Sequence, residues 1–406
     1  FISDKTIAQE ADEMAAELQS WTPESFDTDV EHRKDGSIIL RPRRALEEYP
    51  ARTLDMLEHW ARVAPHRMFI AERNSNGAWA PLTYAATLER VQRIAQGLLA
   101  RNLSAERPIV ILSGNSIQHL LLAFAATWAG VPYCPVSPAY SLASGDLKRL
   151  KSVLELLTPG MVAAFGVREF ERALTQLVPA DVEIVGDVAR VGTRGVTRFD
   201  QLEAVPDSRL IEAHARTSPD TIVKFLLTSG STGEPKAVIT THRMLCSNAR
   251  MLCQALPFVR GEPPVVVDWL PWNHTFGGSH NLNFVLFNGG SLYIDGGKPT
   301  PSGIATTLRN LREISPTVQF NVPKGFDALA HHLQQDRELR RTFFRRLRAC
   351  LFGGGSLSQH TMNVLDELAV AERGARVPML SGLGSTETGP SVTFTTPDCT
   401  SAGVIG

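Results

Sequence analysis

The chain has almost no net charge: 41 Lys and Arg against 42 Asp and Glu give −1 over 406 residues. That balance leaves no global attraction for nucleic acid or an anionic membrane. Cysteine is scarce. Cys134, Cys246, Cys253, Cys350 and Cys399 are odd in number and scattered, which argues against a disulfide framework and against a zinc-binding spacing. They read as buried thiols of a reducing compartment. No apolar run is long enough to span a bilayer; the longest, around Leu120 to Val131, falls well short. The stretch Phe1 to Leu18 carries Asp4, Glu10, Asp12, Glu13 and Glu17, which a secretory signal would not. A fixed-period repeat and low-complexity tracts are also lacking. The default expectation is a cytoplasmic enzyme with no nucleic-acid partner and no membrane insertion. The sequence carries no initiator Met and stops abruptly at Val404-Ile-Gly406, so it reads as a fragment at both ends.

What is present is an ordinary globular composition, 43% hydrophobic and 20% charged. Within it stands the run Thr228-Ser-Gly-Ser-Thr-Gly-Glu-Pro-Lys236. Gly230 and Gly233 let the backbone bring its N–H groups close to an anion. The hydroxyls of Thr228, Ser229, Ser231 and Thr232 are donors for phosphate oxygens, and Lys236 adds a positive charge. The Walker loop is excluded, because it needs four residues between its glycine and a Gly-Lys pair. The dinucleotide spacing Gly-x-Gly-x-x-Gly is also missing here. The apolar run Thr221 to Leu227 precedes the loop and Ala237 to Thr241 follows it, so the loop is expected in a hairpin. A flexible linker would need neither the lysine nor flanking strands. The segment reads as a polyphosphate cradle, for ATP.

A chain of this length is expected to form two or three subdomains. Residues 1 to about 50 read as an N-terminal extension on the outside, and 51–406 as the main domain. From there apolar runs alternate with helical ones. Ile109–Leu112 is a strand, Gly114-Asn-Ser116 a turn and cap, and Ile117–Ala129 a helix ended by Gly130. Met161–Ala164, Val182–Val185, Val265–Val267, Ser291–Ile294, Val318–Phe320 and Ala349–Phe352 repeat the pattern. Continuous apolar strands separated by helices predict an α/β fold with a largely parallel sheet covered on both faces. Arg337 to Arg348 predicts an amphipathic surface helix with a solvated basic face.

Three more clusters sit where apolar strands end, the place where such sheets collect ligands. Ser381-Gly-Leu-Gly-Ser-Thr-Glu387 offers a tight turn, the Thr386 hydroxyl and the Glu387 carboxylate. Beside a phosphate loop that carboxylate suits Mg²⁺, a hard cation that takes oxygen ligands. Read alone, the segment is equally a capped turn before a helix. In Pro271-Trp-Asn-His-Thr-Phe-Gly-Gly278, His274 stands among Trp269, Trp272 and Phe276, which suggests the wall of an apolar acid pocket. A structural histidine is the plain alternative. Gly353-Gly-Gly-Ser356 could let a planar base lie against backbone, or be a simple turn.

Together these segments resemble the adenylate-forming superfamily of acyl-CoA synthetases, luciferases and nonribosomal-peptide adenylation domains. Thr228–Lys236 looks like its phosphate loop, Leu270-Pro-Trp-Asn-His-Thr-Phe-Gly277 like its acid-pocket motif, and Gly382-Leu-Gly-Ser-Thr-Glu387 like its Tyr-Gly-x-Thr-Glu element. More narrowly, Trp272 to Gly278, Asn321-Val-Pro-Lys-Gly325 and Tyr133-Cys-Pro-Val-Ser-Pro138 are similar to bacterial feruloyl-CoA synthases. Leu383 departs from the usual Tyr, and Gly353-Gly-Gly-Ser356 from Gly-Gly-Ala-Pro. The resemblance implies the large N-terminal domain of an adenylate-forming enzyme: two stacked αβαβα-type subdomains with a distorted β-barrel part, the small C-terminal domain missing. It implies ATP, Mg²⁺ and coenzyme A as cofactors and an aromatic carboxylic acid as substrate. In the implied site, Ser229, Gly230, Ser231, Thr232, Gly233 and Lys236 take the β- and γ-phosphates, Thr228 joins them in binding the nucleotide, Thr386 takes the α-phosphate and Glu387 the Mg²⁺. Gly354, Gly355 and Ser356 bracket adenine with Leu383, while Gly382, Gly384 and Ser385 complete the nucleotide turn. His274, Thr275, Phe276 and Gly277, with Gly382, line the acid pocket. Rival expectations are a fatty acyl-CoA ligase, a domain that loads a carrier protein, and a non-catalytic nucleotide-binding protein.

Overall fold

The computed structural model describes residues 28–142, 147–229 and 235–405. Strands form where the apolar runs are continuous. β5 (Ile109–Leu112), β6 (Tyr133–Val136) and β7 (Met161–Ala164) are buried at every position. With β8 (Glu183–Gly186), β11 (Thr197–Arg198), β12 (Ile222–Ser229) and β13 (Pro235–Thr241) they make a seven-stranded sheet, ordered β11-β8-β7-β5-β6-β12-β13. All its pairings are parallel except the β12–β13 hairpin.

Beside this largely parallel sheet stand two further four-stranded sheets. One is ordered β14 (Val265–Asp268), β15 (Ser291–Ile294), β3 (Met68–Arg73), β4 (Trp79–Thr83). The other is ordered β16 (Val318–Asn321), β17 (Ala349–Phe352), β18 (Met379–Gly384), β19 (Ser391–Phe394). Thr317, just before β16, donates its N–H to Val265 O at 2.9 Å and accepts from Val265 N–H at 2.8 Å through Oγ1. That contact sets the two sheets side by side.

The helix Ile117–Ala129 starts where Ser116 Oγ accepts from His119 N–H at 3.1 Å and stops at Gly130, whose φ of 74° is left-handed. It is buried from His119 through Trp128, as an all-round apolar helix must be. The basic segment forms a helix only over Arg337–Phe344. Arg340 leaves the solvated face there, its side chain donating to Glu372 at 2.7 Å. The remaining strands make two small pairs. β9 (Arg190–Val191) pairs with β10 (Arg194–Gly195), and β1 (Thr28–His32) with β2 (Ile38–Pro42) in a solvent-exposed hairpin. Among the described residues no helix is long and apolar enough to cross a membrane.

Candidate active site

The parallel strands β16 and β17 end in step, Asn321 pairing with Phe352, while β18 pairs Ser381 with Phe352 and runs on to Gly384. Gly353-Gly-Gly-Ser356 therefore leaves the sheet at its carboxyl edge beside Gly382, where β18 continues paired with β19 alone. The Pro271–Gly278 segment joins them there. A Cβ on Gly353 would lie 3.7 Å from Phe276 Cε1 and 3.7 Å from Gly382 O. Three of the four clusters expected on one rim are thus in contact.

The Pro271–Gly278 segment is clamped from beneath. Buried Asp268, at the end of β14, accepts from Leu270 N–H at 3.0 Å and from Asn281 Nδ2 at 2.8 Å. Asn115 accepts from Trp272 N–H at 2.9 Å and donates to Leu270 O at 2.9 Å. Residues Phe276–Asn281 then form a π-turn, a rare geometry that recurs at functional sites. Only glycine fits its first turn, because a Cβ on Gly277 would sit 2.4 Å from Leu270 O and one on Gly278 2.2 Å from Trp272 O. Burial pushes the Asp268 carboxyl up to about 7, against the two hydrogen bonds that favour its charged form.

The π-turn carries Phe276 and His280 into an aromatic cluster. Phe276 packs edge-to-face on Phe320 and on His280, with ring centroids 6.3 and 5.3 Å apart. His280 also meets Phe320 at 5.0 Å and Phe394 at 6.3 Å. Its Nδ1 lies 2.9 Å from Asn281 Oδ1. Since Asn281 gives its amide nitrogen to Asp268, its oxygen faces the ring and Nδ1 carries the proton. Burial lowers the His280 pKa to about 4, so the ring is neutral.

Sequence reasoning chose His274 in this motif. That ring is exposed, and its Nδ1 accepts from Phe276 N–H at 3.3 Å. The histidine inside the aromatic cluster is His280, two residues past Gly278. Trp272 is buried against His119 of the helix Ile117–Ala129, ring centroids 5.3 Å apart, outside that aromatic cluster. Trp269 donates to Asn321 Oδ1 at 3.2 Å. Thr275 is buried, and among the described residues its hydroxyl has no partner.

Among the residues expected to meet the nucleotide, Thr228 is next to last in β12 and pairs directly with Lys236 on β13. Lys236 is exposed, and Ser229 is the last residue of its strand. Gly230, Ser231, Thr232 and Gly233 lie outside the described residues. Gly354 is exposed with φ +80°, and beside it Gly355 has Pro323 as its nearest neighbour. Ser356 is exposed, as is Leu383, 52% accessible at the place expected to meet a base. Gly382 abuts the Phe394 ring, and Gly384 abuts Pro390 O. Ser385 caps a short 3₁₀ turn, Thr386–Thr388, its N–H donating to Thr388 Oγ1 at 2.9 Å. Thr386 is half-buried and Glu387 exposed. This turn and the Lys236 hairpin share one support. The helix His242–Ala255 follows β13 directly, and its Asn248 donates to Ser391 O at 2.8 Å just past the turn.

Known proteins share this fold. The description "AMP-binding enzyme" fits residues 57–406. An acyl-CoA ligase, sidI, of Beauveria bassiana is 25% identical over 326 residues, covering 76% of this chain and 52% of its own. Among solved structures, the adenylation domain of a keto acid-selecting NRPS module superposes with a TM-score of 0.68 at 18% identity, covering 87% of this chain and 62% of that one. ATP-bound MatB from Rhodopseudomonas palustris gives a TM-score of 0.61 at 24% identity, covering 87% and 64%. These likenesses bear out the expected α/β architecture. The chain spans about half the length of the curated relatives it matches. The matched region takes in β3 and every strand after it, with all the rim clusters, and on that ground the chain belongs to the AMP-binding enzyme family.

Proposed function

We propose that the protein activates an aromatic carboxylic acid, ferulate or another hydroxycinnamate, by adenylation with ATP and passes the acyl group to coenzyme A. One observation carries this reading: Phe276, Gly353 and Gly382 meet at a common strand edge, with aromatic and neutral polar groups behind them. Flat glycine walls and the rings of Phe276, Phe320 and Phe394 suit a planar aryl chain better than a flexible alkyl one.

In the first half-reaction a carboxylate oxygen attacks the α-phosphorus, and pyrophosphate leaves. In the second, the CoA sulfur attacks the acyl carbon and AMP leaves. The chain's contribution to the first half is positioning and charge. Lys236, opposite Thr228, faces the β- and γ-phosphates, and the Thr386 hydroxyl the α-phosphate. Glu387, an exposed carboxylate on a rigid short turn, fits the oxygen donor that Mg²⁺ prefers. The ion supplies neutralisation of phosphate charge. Leu383 offers aliphatic packing to adenine over the Gly354–Ser356 backbone. Residues 51–406 form the adenylation domain in this reading, and residues 1–50 an extension outside it.

Steady-state assays of the full-length polypeptide over aryl, cinnamoyl and fatty acids test the substrate class. Ferulate and coumarate are expected to exceed palmitate in kcat/KM by about tenfold or more, the discrimination of a shaped apolar pocket. Palmitate outrunning both would overturn the aromatic assignment and favour a fatty acyl-CoA ligase.

A further inference from the structure

Lys224 is the third residue of β12, the lone charge in its apolar run Ile222–Leu227, and is 1% exposed. Its Nζ donates to Gly278 O, in the π-turn, at 2.8 Å. The ammonium lies 6.0 Å from the Tyr133 ring centroid, at the outer limit of a cation–π contact. Around it Thr53, Thr127, Tyr133 and Asn283 line a cavity of about 10 Å³, room for one water. Burial drives the lysine's pKa down to about 7, and no carboxylate contributes to that shift.

Such a residue is costly for stability. Removing an ammonium from water without a counter-ion is unfavourable, and an apolar side chain of the same length would avoid the penalty. What a lysine supplies, and a methionine does not, is an N–H donor at Gly278 O. It supplies that donor whether charged or neutral. The acceptor lies between Phe276 and His280, the two π-turn residues that face Phe320. The donor lies four residues before Thr228, at the start of the nucleotide hairpin. No other described hydrogen bond joins β12 to the π-turn.

We propose that Lys224 is a positioning residue for acid activation: it fixes the π-turn that carries Phe276 and His280 in register with the Thr228 end of β12. The inference rests on the acid-activating reading given above. It assigns the acid's placement against the nucleotide, not nucleotide binding itself, to this bond. A displacement of about 1 Å between reacting groups costs on the order of 10² in rate, so a single spacer bond has large leverage.

The test uses two ligands on this chain: AMP, and a non-hydrolysable feruloyl sulfamoyl adenosine that spans both halves of the site. Calorimetric affinities and melting temperature are measured for wild type and Lys224→Met. The expected result is an analogue affinity lowered about tenfold, AMP affinity within about twofold, and a melting temperature unchanged or raised, as when a buried ion is replaced by an apolar group. An unchanged analogue affinity would overturn the proposal. So would parallel loss of AMP and analogue binding with a lowered melting temperature, the mark of a purely structural lysine. Should Lys224→Met fail to fold, Lys224→Gln carries the same test, because its amide is one bond shorter and reaches Gly278 O poorly. A shift of the analogue-to-AMP ratio by about threefold or more then supports the proposal, and an unshifted ratio overturns it. A wild-type chain that binds neither ligand removes the functional reading itself, and this inference with it.

Discussion

Glu387→Gln is expected to lower acid-dependent adenylation by about 10²–10³, the usual cost of removing one preorganised charge contact at a phosphoryl centre. The carboxylate is exposed at the middle of the turn Thr386–Thr388, which Ser385 and Thr388 lock by their own hydrogen bonds. Replacing one carboxylate oxygen by an amide nitrogen leaves those bonds intact, so the fold and melting temperature should not change. Mg²⁺ dependence separates the ligand role from a structural one. If Glu387 holds the ion, the variant's deficit deepens as Mg²⁺ is lowered and is partly recovered at high Mg²⁺. Wild-type kinetics at low Mg²⁺ would leave Glu387 as an ordinary surface residue.

Gly353→Leu should be comparably severe, through shape alone. The first atom of the new side chain meets only ordinary contacts, 3.7 Å to Phe276 and to Gly382 O, and Gly353 has no left-handed φ to be strained. The chain should therefore fold. The rest of the leucine must fill the space between Phe276 and Gly382 that the aryl chain is proposed to enter. Adenylation of ferulate should fall about 10²-fold or more, since a displaced acid no longer meets the α-phosphorus in line. AMP affinity, measured by calorimetry, should change little. Equal ferulate kinetics in the variant would place the acid elsewhere.

Much of this site was legible in the sequence, and what was not has physical reasons. Ile117–Ala129 could be bounded to the residue because Ser116 and Gly130 state both ends in local chemistry. Ser291–Ile294 and Ala349–Phe352 could be read as strands because short apolar runs bounded by polar residues have few other uses. The division into separate sheets could not. It depends on pairings such as β3 with β15, more than two hundred residues apart, which leave no local pattern. The π-turn was also hidden, because Gly277 and Gly278 announce a close approach without naming the backbone approached.

His274 and His280 show the same limit at the level of one side chain. One lies inside the motif Pro271–Gly278 and the other just past it, and only the π-turn decides which enters the aromatic cluster. The adjacent Asn281 was the available signal: the polar run Ser279-His280-Asn281 follows two glycines, in a stretch that otherwise reads as core. Lys224 left a plainer trace, a lone charge inside the apolar run Thr221 to Leu227. Its partner, Gly278 O, lies 54 residues away and could come only from the fold.

Acid activation by adenylate formation is read out by acid-dependent ATP–pyrophosphate exchange. Radiolabelled pyrophosphate is incubated with the full-length polypeptide, Mg²⁺ and ATP, with ferulate, coumarate, benzoate or fatty acids added singly and CoA left out. Label should enter ATP only when an acid is present, fastest with the hydroxycinnamates, and the Glu387→Gln variant should lose that exchange. Absence of acid-dependent exchange with every acid, from a protein that still binds AMP, would contradict the account and leave a nucleotide-binding protein without this chemistry.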